Sequence, residues 1–203
     1  FNTYKAKNES LKKGSPLAKL DTFLNISRVN GVLGIEKNGV LVPETVTYRK
    51  LEIGRYEVTR AQWAAFDKNY KVPPGTGDYP VTGITFADAD RYVKWLSEKT
   101  GETYRLPGEK EIKTLYGNRS GNTFDHWAGY SLSPDDYRDL LPELAKYKDK
   151  PVLLKPVGRF SPVGDDPVFD LGGNAAEWVK INEGGTPRGG SADRPADTSF
   201  RAK

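Results

Sequence analysis

Apolar residues in this chain recur in short sets separated by Gly, Pro and Asn turns, and each set predicts one small element. Residues 1–30 are polar and rich in Lys, Asn and Ser. Within them Leu17, Leu20 and Leu24 have the three- and four-residue spacing of one face of a short helix, in an arm that packs on the rest. Val32 to Glu36 and Val40 to Val42 flank Lys37-Asn38-Gly39. Asn-Gly is the favoured pair for a type I′ turn, because both central positions need φ > 0, so this stretch predicts a β-hairpin. Thr45 to Ile53 predicts one longer strand, and Gly54 to Val58 a second extended piece.

The pattern then changes period. Thr59 with Gln62 three residues on predicts a capping box, in which each side chain satisfies a backbone N–H at the helix start. Trp63 and Phe66 face the core from that helix, and Pro73 to Gly77 forms a loop. Thr85 and Asp88 predict a second capped helix, apolar along Phe86, Ala89, Val93 and Leu96 and ended by Gly101. Arg105 to Ile112 predicts an extended lead that turns into a short helix at Pro107. Ser133-Pro134-Asp135-Asp136 opens a further helix, with Pro at its first position and acids at the positive dipole end. Tyr137, Leu140, Leu141, Leu144 and Tyr147 form its apolar stripe. From Pro151 on, short strands alternate with Gly/Pro turns. Strands, then about three short helices, then short strands predict an α+β fold with much irregular loop, not an alternating parallel array.

Composition narrows the chemistry. The 203 residues are 36% hydrophobic and 29% charged, enough for one core with an appended arm. Cysteine is absent, which removes disulfides, thiolate nucleophiles and cysteine-held metals from this chain. A single histidine, His126, leaves no His-rich metal site. The net charge of +4 is spread among mixed signs without a basic stripe, so no nucleic-acid partner is expected. No apolar run approaches the roughly 20 residues that cross a bilayer, so no membrane-spanning segment is expected. The absence of methionine points to a processed or excerpted piece of a longer product.

The chemistry-bearing stretch is the last third, where Val157-Gly158-Arg159-Phe160 leads on to Asp170-Leu171-Gly172-Gly173-Asn174-Ala175-Ala176-Glu177-Trp178, followed by Arg188-Gly189-Gly190-Ser191. Three earlier blocks stand in order before it: Gly54 to Trp63, Tyr79 to Phe86, and Arg105-Leu106-Pro107-Gly108-Glu109. Together the four resemble the formylglycine-generating-enzyme, or sulfatase-modifying-factor, family over about residues 45–203. The resemblance implies a compact C-type-lectin-like fold, with residues 1–44 as an arm and hairpin of open attachment. Formylglycine generation in that family resembles a copper-assisted oxidation on a cysteine pair, and thiolates are what hold Cu(I). Copper is therefore not expected here. Another branch of the family makes sulfoxides with histidine-held iron, which one histidine does not supply. A third, siderophore-tailoring and periplasmic, works without the cysteine pair, and a fourth uses the fold as a binding scaffold. After Ser191 the chain reaches Ser199-Phe200-Arg201 sooner than the family pattern does. The closing strands are either shortened or cut off.

The resemblance assigns candidate roles. Asn174 and Glu177 side-chain oxygens, with the Ala175 and Val179 carbonyls, are the expected holders of a structural calcium. The competing expectation is that Asn174 and Glu177 bond the turn's own backbone, with Glu177 paired to Arg188. Trp178, Arg105 and Arg188 are expected as buried structural anchors, since a guanidinium ties several loop carbonyls together. His126 is a candidate ligand-facing group or, more plainly, a packed residue. Asp193, Arg194 and Asp197 stand where family segments line the cleft and are candidate ligand-facing residues. The function expected is a non-catalytic binding or structural module in a longer secreted or periplasmic protein. Its partner would be a protein, a small molecule or a glycan. The alternatives are a cysteine-independent tailoring enzyme and a calcium-dependent lectin-like domain.

Overall fold

The computed structural model describes residues 28–117, 122–128, 130–147, 152–160 and 168–195. The expected helix around Leu17 to Leu24 lies outside them. Four antiparallel hairpins and five helices make up the described part. The first three hairpins are β1 (Arg28–Val29) with β2 (Val32–Leu33), β3 (Ile35–Lys37) with β4 (Val40–Val42), and β5 (Thr45–Tyr48) with β6 (Leu51–Gly54). The helices follow: α1 (Arg60–Phe66), α2 (Phe86–Thr100), α3 (Glu109–Tyr116), α4 (Thr123–Ala128) and α5 (Pro134–Ala145). The last hairpin is β7 (Glu177–Ile181) with β8 (Gly184–Arg188). The architecture is α+β with small antiparallel sheets and long irregular connections, as expected.

Local chemistry accounts for most boundaries. Asn38 and Gly39 sit at φ of 50° and 74°, and Lys37 pairs with Val40 across a two-residue turn. The Thr59–Gln62, Thr85–Asp88 and Ser133–Asp136 capping boxes all form, and Gly101 ends α2 in the left-handed region at φ 74°. Three expectations change. The predicted strand from Thr45 to Ile53 is a hairpin, because the chain reverses at Arg49, whose φ is 57°. Gly54 to Val58 is not a separate strand; Gly54 closes β6 and the rest is irregular. The helices number five among the described residues, not about three. The unexpected α4 is capped by Asn122, whose Oδ1 accepts the Asp125 N–H at 2.8 Å.

The hairpin before residue 45 packs into the same core as the helices. Val42 of β4 is fully buried with Trp63, Tyr92 and Leu96. Trp63 stacks on Tyr92 with ring centroids 5.2 Å apart, and Phe66 meets both rings edge-on. Gln62 donates from Nε2 to the Leu33 carbonyl at 3.0 Å, so the residue that caps α1 also ties it to β2. A second cluster joins Ile112, Leu115 and Tyr116 of α3 to Val168, Leu171 and Val179. The Lys180 N–H donates to the Pro107 carbonyl at 2.9 Å, which sets β7 beside the start of α3. That contact places the carboxyl-terminal motif against Tyr116.

Candidate functional site

The motif that stood out in the sequence folds into a knot of hydrogen bonds. Asp170 and Asn174 hold positive φ, at 62° and 67°, so the loop between them folds back on itself. Asn174 is fully buried. Its Oδ1 accepts the Lys155 N–H at 2.9 Å, and its Nδ2 donates to Glu57 Oε2 at 2.6 Å and to the Lys155 carbonyl at 3.2 Å. The opposite amide orientation would turn Oδ1 onto the Glu57 carboxylate, so the network fixes this one. Glu57 Oε1 also accepts the Ala175 N–H at 2.7 Å. Asp170 accepts the N–H groups of Gly158 and Phe160. The Tyr116 hydroxyl donates to Glu177 and accepts the Gly172 N–H at 3.2 Å.

Three carboxylates, buried Asp170 and partly buried Glu57 and Glu177, therefore lie near enough to feel one another's charge. Burial pushes Asp170 up to about 6 and Glu177 up to about 8. Glu57 is raised well above the carboxylate range by burial and then by the charges of Asp170 and Glu177. The Tyr116 phenol is raised by burial and by Glu177. Among the described residues none of the three acids is paired with Lys or Arg. Desolvated carboxylates without a cation are the costly case of charge burial, relieved by proton uptake or a bound cation.

The anchors fall out unevenly. Trp178 is half-buried; its Nε1 donates to the Ile84 carbonyl at 3.3 Å and its ring meets Phe86 edge-on. Arg188 is half-buried and donates to Glu109 at 3.3 Å; Glu177, once expected to pair with it, faces Tyr116 instead. Arg105 corrects the expectation of a buried anchor. Its side chain is 57% exposed and grips the Glu111 carboxylate through both amino groups, at 2.7 and 2.6 Å. That pair and the Gly108 N–H hold Glu111 down to about 2. The buried arginine is Arg55, which sequence reasoning missed. It is 4% exposed, donates to Glu44 at 2.9 Å and lies against the Tyr56 and Phe169 rings. Its one sequence signal was Glu44, in the short connection before β5.

The ligand-facing candidates do not come together. Asp193 and Arg194 are exposed on a turn where the Arg194 N–H donates to Ser191. Asp197 and the His126 side chain lie outside the described residues. A half-open cavity of about 640 Å³ sits elsewhere, between β1–β2, the loop ending at Tyr79 and the loop of residues 156–159. Its polar lining is Arg28, Tyr56, Asp78, Tyr79 and Arg159. Arg28 donates to Asp78 at 2.8 Å and to the Gly31 carbonyl at 2.7 Å. Asp78 also accepts the Leu33 N–H at 3.2 Å, so it fixes both walls. Tyr56, Tyr79 and Arg159 stand in or beside the blocks that carry the resemblance, whereas no motif marked Arg28 or Asp78; separate loops bring the five together.

Comparison with known families places this architecture. The model of the sulfatase-modifying factor enzyme 1-like domain matches residues 28–182, more than half of the chain. The chain belongs to that family. Comparison with curated proteins found no match. The matched region begins at β1, in keeping with hairpins that share the core. Among the described residues no helix is long and apolar enough to cross a membrane.

Proposed function

We propose that this domain is a binding module of the sulfatase-modifying-factor type, with its recognition surface in the cavity around Arg28, Tyr56, Asp78, Tyr79 and Arg159. The supporting observation is a division of labour. The Asn174–Glu177 motif is committed to holding loops together, whereas the cavity presents phenols, an ion pair and a further guanidinium around an open 640 Å³ space. A few convergent polar groups in a partly apolar hollow are what ligand sites share. The lining suits a small polar molecule with hydroxyl or carboxylate groups, such as a short glycan. The test is a thermal-shift screen against mono- and oligosaccharides and small carboxylates. A hit should raise the Tm of the native chain, and Arg159→Ala should remove that shift while leaving the unliganded Tm in place. A hit unaffected by Arg159→Ala would move the site elsewhere.

The calcium that the resemblance implies belongs to this proposal as a structural ion. The carboxylates fit it in charge: Glu57, Asp170 and Glu177 lack a basic partner among the described residues, and Ca²⁺ accepts carboxylate and carbonyl oxygens together. Asn174 fits less well, since its oxygen holds the Lys155 N–H. Among the described residues no three acidic or histidine side chains converge on one point, so Glu177 would act with carbonyls such as those of Ala175 and Val179. Added calcium should raise the Tm by several degrees and EDTA should reverse it; Glu177→Gln should abolish the calcium-dependent part. A melting curve indifferent to both additions would remove calcium from the account.

A further inference from the structure

Helix α5 carries an apolar stripe that begins against the body and then has no cover among the described residues. At its start the Tyr137 ring lies tilted against Phe124, and its hydroxyl accepts Asn122 Nδ2 at 2.6 Å and donates to Asp125 at 2.9 Å. One turn on, Leu140 and Leu141 are 38% and 44% exposed, and no residue of α5 is buried. Trp127 and Tyr147, on either side in the chain, are exposed too. A helix of 12 residues is marginal in water by itself, and Pro142 removes one of its backbone donors. Such a helix needs something on its apolar side.

We propose that the cover is the amino-terminal segment of the same chain, with Leu17, Leu20 and Leu24 lying on Leu140, Leu141 and Leu144. Three observations support this occupant. The apolar positions on both sides share the three- and four-residue spacing that lets two stripes interlock. The charges are opposite: residues 1–27 hold five Lys against Glu9 and Asp21, net +3. Residues 134–145 hold Asp135, Asp136, Asp139 and Glu143 against Arg138, net −3. The segment joins β1, whose Arg28 shares a cavity with Arg159, and Lys155 of that same loop lies over the Trp127 ring. The tether from Arg28 runs 4, 8 and 11 residues to Leu24, Leu20 and Leu17, a reach of at most about 13, 26 and 36 Å, so the face that is covered must lie on the β1 side of the body. It also holds the segment at an effective concentration of order millimolar.

The chain has no cysteine, so introduced thiols report without background. In the full chain at low micromolar concentration, L20C combined with L141C should close an intramolecular disulfide under mild oxidation. Closure should be at least tenfold faster than for L20C combined with K94C, whose second thiol sits on the exposed face of α2. The pair L24C with L144C should behave as the first does. Adding D139K and E143K should slow closure severalfold, an effect a purely apolar collapse would not show. Closure no faster than the control, or disulfides formed only between two chains, would overturn the proposal; the second result would make another copy the occupant.

Discussion

Gly189→Ala is expected to destabilise the domain by about 2–4 kcal/mol, which lowers Tm by roughly 5–15 °C for a chain of this length. Gly189 belongs to the Arg-Gly-Gly-Ser block and sits at φ +92°, where a side chain is strained by about 1 kcal/mol. A Cβ there would lie 2.4 Å from the Tyr116 hydroxyl and 2.7 Å from Glu177 Oε2. The methyl would drive apart the phenol–carboxylate pair that links α3 to β7. Gly83 supplies the control: its φ is +72° but nothing lies within 4 Å of its added Cβ. Gly83→Ala should therefore show the backbone strain alone. Denaturant unfolding of both variants measures the difference. Equal losses would mean that the contact with Tyr116 and Glu177 is absent.

Asn174→Ala should be of similar size, about 3 kcal/mol. The change leaves the buried Lys155 N–H without its acceptor and takes one donor from Glu57, and each unsatisfied buried group costs about 1–3 kcal/mol. It also puts alanine at φ 67°, which asparagine tolerates better. Hydrogen exchange should show the loss locally. Amides of Lys155, Phe160 and Ala175 should lose protection before those of α2, because this one side chain joins the loops on either side of it. Uniform loss across the domain would show that Asn174 contributes only to global stability.

The parts legible from sequence were those where one residue type has one strong local reason to be present. Thr59, Thr85 and Ser133 announced their helices, and Asn38-Gly39 announced its turn. The reversal at Arg49 was not legible, since arginine carries no preference for positive φ and its neighbours alternate as a strand does. Asn122 is a legible cap for α4, but the helix it starts is only six residues long and carries no apolar repeat to announce it. The carboxyl-terminal motif drew notice because its residues are unusual in a loop, and they do meet in space. Their partners, Glu57, Lys155 and Tyr116, stand up to 118 residues away, and no local spacing encodes such pairing. Arg105 and Arg55 show the same limit. Each precedes a single large apolar or aromatic residue, Tyr56 or Leu106, and only the fold decides that Arg55 is enclosed by two rings while Arg105 faces water beside Glu111.

The resemblance implies a chemistry that rests on a cysteine pair, whereas this chain holds the loops around Asn174 together without sulfur. The most direct measurement supplies the purified chain with copper, oxygen and a cysteine-bearing sulfatase peptide, and traps aldehydes with a hydrazide. No aldehyde above the copper-only control is predicted. Turnover of the peptide thiol to a trapped aldehyde would contradict the reading of this domain as a binding module.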